Sequence, residues 1–239
     1  MRRMVLLLAA AALALAGLIG APSASGAYFK VESTPAEIYG EGLESMQHVF
    51  QTKEGKVECP YTPFSPSGEP IEEEQFSAFQ VGLTFEECTF TNETFKDFPA
   101  KVAAHQCTSL ISMDPEAEVK EEGGENRVSY GSTFDFTEDL ETGCAGLEEV
   151  ITITPSLTFL CSWKIPPQSF ASPNIYELST QPEKDYVHAK IEVKEVDYWL
   201  FGKGCTTPGE YENATYEAEE YLYARSPESE EPIGLSLVE

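Results

Sequence analysis

The chain lacks the short signatures of the common enzyme classes. It has no GxSxG nucleophile elbow, no HExxH zinc motif and no glycine-rich phosphate loop. Histidine is scarce as well, with three in 239 residues, and His188 falls on the polar side of its predicted strand. These absences favour a non-enzymatic protein and leave open a hydrolase whose catalytic residues are too dispersed to form a motif.

Basic residues are few: 15 Lys and Arg face 41 Asp and Glu, which gives a formal net charge of -26. A field of that sign repels polyanions, so nucleic acids and anionic membrane surfaces are excluded as partners. Metal-binding patterns are also missing, because no CxxC or HxxxH pair occurs. The nearest approach to a calcium loop is Glu138, Asp139 and Glu141, which lack its alternating Asp and Asn. We therefore expect no metal and no cofactor.

One uninterrupted apolar run occurs, from Val5 to Ile19, after a basic start and before small residues that end at Ala27. This pattern predicts a secretory signal peptide over residues 1–27. The run of about 15 residues is shorter than the roughly 20 that span a bilayer. We therefore expect a secreted protein with no membrane insertion after cleavage.

Short runs with apolar residues at every second position fill the rest of the chain. The most regular run lies in the last third and changes parity once, which predicts a β-bulge near Glu195. Its apolar positions are Val187, Ala189, Ile191 and Val193 before the bulge, and Val196, Tyr198 and Leu200 after it. The stretch 216–224 suits a strand better than a helix, although both remain open.

A second clear pattern is a hairpin over residues 150–165. A β-branched run precedes Pro155 and Ser156, and apolar residues then alternate up to Ile165. This alternation places Cys161 on the inward face and Ser162 and Lys164 toward solvent.

Many short strands without a long 3.6-residue period indicate an all-β fold, an antiparallel sandwich of one large unit or two fused ones, stabilised by disulfides. The expected folded domain is 28–227, with a possible seam at 115–126 and an acidic tail or edge strand over 228–239. The proline-rich stretch 60–70 is expected to be a loop.

All six cysteines follow the leader, and an even number in an exported chain predicts three disulfides. Spacing does not select one of the 15 connectivities, and our preferred set pairs Cys144 with Cys161, Cys59 with Cys88 and Cys107 with Cys205.

Two aromatic residues are the best candidates for ligand binding. If Tyr198 and Leu200 face the core, Trp199 and Phe201 face outward, where they could stack on sugar rings or anchor a protein. The alternative is a strand buried on both faces, or one covered by the tail.

The order of cysteines, with Cys161 followed by the sequence IPPQ, resembles a group of exported bacterial proteins that have no assigned function. The resemblance extends from about Leu83 to Tyr216 and implies secretion, β structure and disulfides. Three functions remain open: a non-enzymatic binding or scaffolding protein at or outside the cell surface, a carbohydrate-binding module, and an extracellular hydrolase. The expected partner is an extracellular protein or polysaccharide.

Overall fold

The computed structural model describes residues 26–239 except 43–47, 103–107, 115, 130–131, 138–148, 157–158, 167, 169–174, 181–184 and 230. Within these ranges the regular structure consists of β-strands, and no helix is present that is long and apolar enough to cross a membrane. The strands are β1 Tyr28–Val31, β2 Glu37–Gly42, β3 His48–Thr52, β4 Gly55–Cys59, β5 Phe64–Ser67, β6 Gln75–Phe76, β7 Ala78–Leu83, β8 Thr89–Thr91, β9 Phe98–Lys101, β10 Thr108–Met113, β11 Lys120–Glu122, β12 Glu125–Ser129, β13 Ser132–Thr137, β14 Glu149–Ser156, β15 Phe159–Ile165, β16 Ile175–Thr180, β17 Tyr186–Phe201, β18 Gly209–Arg225, β19 Pro232–Ile233 and β20 Leu235–Val238.

The strands form two antiparallel sheets in a sandwich-like arrangement, which confirms the predicted all-β fold class. A small sheet has the order β20, β1, β6, and the other 17 strands hydrogen-bond in one large network. The large side chains of the core are fully buried and include Trp163, Tyr198, Tyr216, Phe29, Phe50 and Phe64. The C-terminal stretch contributes β20, which lies at the edge of the small sheet and pairs with β1 over four residues.

β17 and β18 are the longest strands, with 16 and 17 residues, and they pair along nearly their full length. The register shifts between Val193 and Val196, where Glu195 has a positive φ of 58°. This confirms the predicted bulge. A second shift, between Val196 and Tyr198, places the extra residue on β18 instead and restores the original register. The two bulges therefore compensate, and the inward residues of β17 stay buried before and after them.

The predicted hairpin is present as β14 and β15, which pair antiparallel from Glu149 opposite Ile165 to Ser156 opposite Phe159. Cys161, Trp163 and Ile165 are buried, as expected. The prediction that Ser162 faces solvent is wrong, because its side chain is 2% exposed. β15 also pairs with β17 there, and Phe201 lies directly opposite Ser162 on the same side of the sheet, so the small serine is shielded by a large neighbouring side chain.

The stretch 60–70, which was predicted as a loop, and the stretch 115–126, a possible seam, both contain strand residues. β5 lies within 60–70 and pairs with β7, and its Pro66 is tolerated because β5 has only a single pairing with β2 on its other side. β11 lies within 115–126 and forms a hairpin with β12, which begins at Glu125, and the turn residues Gly123 and Gly124 both have positive φ.

Two disulfides join described cysteines. Cys59 is bonded to Cys88, which confirms that prediction. Cys161 is bonded to Cys205, so the predicted pairings of Cys161 with Cys144 and of Cys205 with Cys107 are wrong. The physical reason is the strand order: β15 lies beside β17, and Ser162 is opposite Phe201, so Cys161 meets the turn that follows β17. Cys107 and Cys144 lie outside the described residues.

The predicted signal peptide lies outside the described residues except for Gly26 and Ala27. Ala27 is 2% exposed, and its backbone N–H donates a hydrogen bond to the Ala117 carbonyl at 2.9 Å. Ala27 is thus packed with the folded domain.

Candidate ligand-binding face

The solvent side of β17 and β18, together with the neighbouring parts of β2, β12, β15 and β16, is called the outer face below. Along β17 the outward residues are the even-numbered positions from Tyr186 to Lys194 and, after the bulge, Asp197, Trp199 and Phe201. The inward residues between them are buried. The second bulge restores the pairing of β17 with β18, so all these outward side chains lie on a single face.

Trp199 and Phe201 lie at one end of the outer face, 42% and 44% exposed, while Tyr198 and Leu200 are buried beneath them. This is the orientation that the alternation predicted. Trp199 borders a shallow depression of about 450 Å³, lined by Pro166, Asp197, Trp199, Glu210, Tyr211 and Glu212. The pair Trp199 and Phe201 is called the aromatic strip.

The aromatic strip is held from both sides. On one side β15 places Lys164 opposite Trp199, and the Lys164 ammonium lies 5.4 Å from the centre of the indole ring. On the other side β18 places Glu210 opposite Trp199. The Cys161–Cys205 disulfide links β15 to the turn after β17, so the strip is anchored at its end as well.

Gln168, the last residue of the IPPQ sequence, supports the same segment. Its side-chain amide donates to the Asp197 carbonyl at 3.1 Å, and its side-chain oxygen accepts from the Asp197 N–H at 2.8 Å. This carboxamide therefore satisfies both backbone groups of Asp197, as a neighbouring strand would. The role of Gln168 is thus to fix the backbone two residues before Trp199.

A second group of aromatic side chains occupies the other end of the outer face. A row of three aromatic residues crosses three strands in direct register: Tyr39 on β2, Tyr223 on β18 and Tyr186 on β17. Tyr221, two residues before Tyr223 on β18, points to the same side. Each is half-buried. The Tyr39 and Tyr223 rings stack 5.8 Å apart at 11°, and those of Tyr186 and Tyr221 lie 4.5 Å apart. We call these four residues the tyrosine platform.

A groove of about 320 Å³ runs beside the tyrosine platform and is lined mainly by paired charges. Arg127 donates to Glu125 at 2.8 Å and to Glu177 at 2.7 Å, and His188 Nε2 lies 2.5 Å from Glu219 Oε1. His188 is therefore on the polar side of its strand as predicted, with an acidic partner and a ring contact to Tyr221 at 5.3 Å.

A buried polar cluster lies on the opposite, inner side of β18. The side chains of His48 and Glu220 are 1% and 0% exposed, and they are in direct contact through His48 Nε2. The other ring nitrogen, Nδ1, is hydrogen-bonded to the Tyr216 hydroxyl at 2.6 Å. Phe64 and Phe85 pack edge-on against the imidazole. Among the described residues, Glu220 Oε2 has no hydrogen-bond partner.

Burial makes both ionisable groups of the cluster neutral at pH 7. It lowers the pKa of His48 to about 3, and burial together with the nearby charge of Glu41 raises the pKa of Glu220 to about 9. A protonated Glu220 can donate its O–H to Nε2 of a neutral imidazole, which leaves Nδ1–H to donate to Tyr216. With side-chain exposures of 1% and 0%, His48 and Glu220 are closed off from solvent in this structure.

The residues that the sequence suggested as functional candidates lie in three different places. Trp199 and Phe201 lie side by side on the outer face, whereas His48 is in the core and His188 is in the groove. Among the described residues, no group of three His, Cys, Asp or Glu side chains could hold a metal ion. Glu138, Asp139 and Glu141 lie outside the described residues.

Sequence reasoning missed the tyrosine platform and the buried cluster. The platform had no local signal, because it forms only when three strands align. Glu220 did have one: it occupies the inward parity of β18, between Ala218 and Leu222, where a charged residue is unexpected.

Comparison with known proteins adds no assignment: no protein-family model, no curated protein and no solved structure matches this chain.

Proposed function

We propose that this is an exported, non-enzymatic binding protein that holds a polysaccharide through the aromatic strip. The observation that carries the proposal is the exposure of Trp199 and Phe201, two adjacent outward rings on a strand whose intervening residues are buried. Aromatic rings combine a large apolar area with little conformational entropy, which suits stacking on the apolar faces of sugar rings. The disulfides and the leader pattern support export.

The surroundings of the strip favour sugar over protein. Protein–protein interfaces are depleted of Lys, Glu and Asp at their centre. Here Trp199 is bordered by Lys164, Asp197, Glu210 and Glu212, whose polar atoms suit the hydroxyl groups of a carbohydrate. A partner protein would have to desolvate these charges, whereas a hydrated sugar chain would exchange hydrogen bonds with them.

A catalytic role receives less support from the same geometry. An acid with a strongly raised pKa in an open pocket would favour a hydrolase, because a general acid must be protonated at the working pH. Glu220 has the raised pKa, but it lies on the inner side of the sheet with no exposed surface. Binding without turnover is therefore the function we infer.

The test is a pull-down of the mature protein on insoluble cellulose, chitin and peptidoglycan, with Trp199→Ala and Phe201→Ala beside the wild type. Tyr61→Ala is the matched control, since Tyr61 is 48% exposed but lies in an isolated bridge with Glu86, away from β17. We expect wild type and control to be retained on at least one polymer and Trp199→Ala to be lost. Equal retention of Trp199→Ala, or no retention of wild type on any polymer, contradicts the proposal.

A further inference from the structure

The tyrosine platform is a second ordered aromatic surface on the same face as the aromatic strip. We propose that it is a second contact site for the same polysaccharide chain, so that the ligand is an extended polymer lying along β17 and β18. This inference rests on the proposed function and specifies its ligand: a long chain rather than a sugar end or a short oligosaccharide.

The platform is organised before any ligand arrives. Tyr39 and Tyr223 stack nearly parallel, and the Arg225 guanidinium lies 5.0 Å from the centre of each ring. Tyr221 is flanked by Tyr186 at 4.5 Å and by the His188 ring at 5.3 Å. Side chains that are already ordered lose little entropy on binding, so a rigid aromatic surface binds better than a mobile one of equal area.

The charged residues beside the rings favour a polysaccharide over a protein as the ligand of the tyrosine platform. Next to Tyr221 lie Lys190 opposite Glu219 on the two strands, and Arg127 is paired with Glu125 and Glu177. Half-exposed charges in mutual pairs are unfavourable at the centre of a protein interface, where they would have to be desolvated. A chain of sugar rings needs only that its apolar faces meet the aromatic rings while its hydroxyl groups remain hydrated.

The two aromatic surfaces are far apart along the strand. Tyr186 and Trp199 are 13 positions apart on β17, which at about 3.3 Å per residue is roughly 40 Å. A single terminal sugar cannot contact both. A polymer can, and once one site is bound the second binds at a high effective concentration, so avidity exceeds the affinity of either site alone.

The net charge limits the chemical class of the polymer. At -26, the protein repels anionic polysaccharides, and on the outer face Arg127 and Lys194 are already paired with carboxylates, which reduces the positive charge available to attract them. Uncharged polymers are therefore the expected ligands, and cellulose and chitin are the appropriate probes.

The experiment measures binding of the full mature protein to insoluble cellulose and chitin, comparing wild type, Trp199→Ala, Tyr221→Ala and Tyr221→Phe. We expect Tyr221→Ala to raise the Kd at least about fivefold, which corresponds to the loss of more than about 1 kcal/mol that marks an important contact residue. Tyr221→Phe should bind nearly as tightly as wild type, because the ring is kept. Tyr39→Ala, on a different strand, repeats the test if Tyr221→Ala fails to fold. Tyr61→Ala again serves as the control.

The outcomes separate this inference from the function on which it rests. If Trp199→Ala is lost while both Tyr221→Ala and Tyr39→Ala bind as tightly as wild type, the second site is overturned and the proposed function stands. If Trp199→Ala binds as tightly as wild type, both are overturned. If wild type binds neither cellulose nor chitin but is retained on peptidoglycan, the second site for an uncharged polymer is overturned and the proposed function stands. A loss in Tyr221→Phe as large as that in Tyr221→Ala would overturn ring stacking at the platform.

Discussion

The buried pair His48 and Glu220 should give the protein an unusual dependence of stability on pH. In the unfolded chain the glutamate has its ordinary pKa of 4.5, while burial raises the pKa to about 9 in the folded state. Between these values the unfolded state has released the proton and the folded state keeps it. The free energy of unfolding therefore falls as the pH rises through this window.

His48 acts in the opposite direction over a different range. Its pKa is lowered from 6.5 to about 3, so the unfolded state binds the extra proton below pH 6.5 and stability falls as the pH decreases. Between pH 4.5 and 6.5 the contributions of His48 and Glu220 cancel. Above pH 6.5 only Glu220 contributes, and the free energy of unfolding falls by about 1.4 kcal/mol for each pH unit. From pH 6.5 to 8.5 the pair should thus cost roughly 2.7 kcal/mol of the free energy of unfolding.

Glu220→Gln isolates this contribution, because an amide has the shape of the protonated carboxyl and does not titrate. Below pH 4.5 we expect the variant to match wild type within about 1 kcal/mol, since both side chains are then uncharged and the amide still offers a hydrogen bond to His48. At pH 6 the variant should already be more stable by about 2 kcal/mol, because only the wild-type glutamate has released its proton in the unfolded chain. Above pH 6.5 its stability should be flat where that of wild type declines. Glu217→Gln is the matched control, because Glu217 lies on the same strand but is exposed.

The measurement is urea unfolding of the three proteins at half-unit steps from pH 5.5 to 8.5. Comparison with Glu220→Gln and Glu217→Gln separates the contribution of Glu220 from that of the other titrating groups, which all three proteins share apart from the substituted residue. The reasoning would be refuted by wild-type stability that does not fall above pH 6.5, or by the same decline in Glu220→Gln as in wild type.

Three other predictions follow from the supports of the fold. Gln168→Ala should weaken polysaccharide retention and destabilise the protein by about 1 to 2 kcal/mol, because both backbone groups of Asp197 lose their hydrogen-bond partner. Gln168→Glu lacks the N–H donor, so it should behave like Gln168→Ala in the pull-down and in thermal unfolding. Replacing Cys161 and Cys205 together by serine should cost about 4 kcal/mol in urea unfolding, since their bond closes a separation of 44 residues, and an unchanged midpoint would contradict this. Gly55→Ala should lower the melting temperature, because φ is +146° and the new Cβ would lie 2.6 Å from a phenylalanine ring atom.

The regular features of the fold could be read from the sequence because they depend on neighbouring residues. Alternation of apolar residues predicted the face of β17, and the change of parity at Glu195 predicted its bulge. The same argument placed Trp199 and Phe201 outward, since one inward residue fixes the direction of the next.

The features that could not be read depend on which strands become neighbours. Cys161 was expected to close its own hairpin, but β15 also pairs with β17 and brings Cys205 within a Cα distance of 4.8 Å. Tyr39 and Tyr186 are far apart in sequence and fall into one cross-strand row only because both lie opposite Tyr223 on the strand between them. Periodicity indicates which way a side chain points and carries no information about the strand beside it.

β18 joins the two unusual features of the molecule, because its opposite sides carry Glu220 and Tyr221. Glu220 points into the core beside His48, and the next residue, Tyr221, points outward into the tyrosine platform. A slip of one residue in β18 would exchange these sides, placing a phenol in the polar cluster and a carboxyl among the aromatic rings. The one-residue shift at the first bulge is reversed at the second, because the extra residue on β17 is matched by an extra residue on β18 and the pairing returns to its original register. The register that keeps Glu220 paired with His48 is thus the same register that aligns the tyrosine platform with Trp199 on one face.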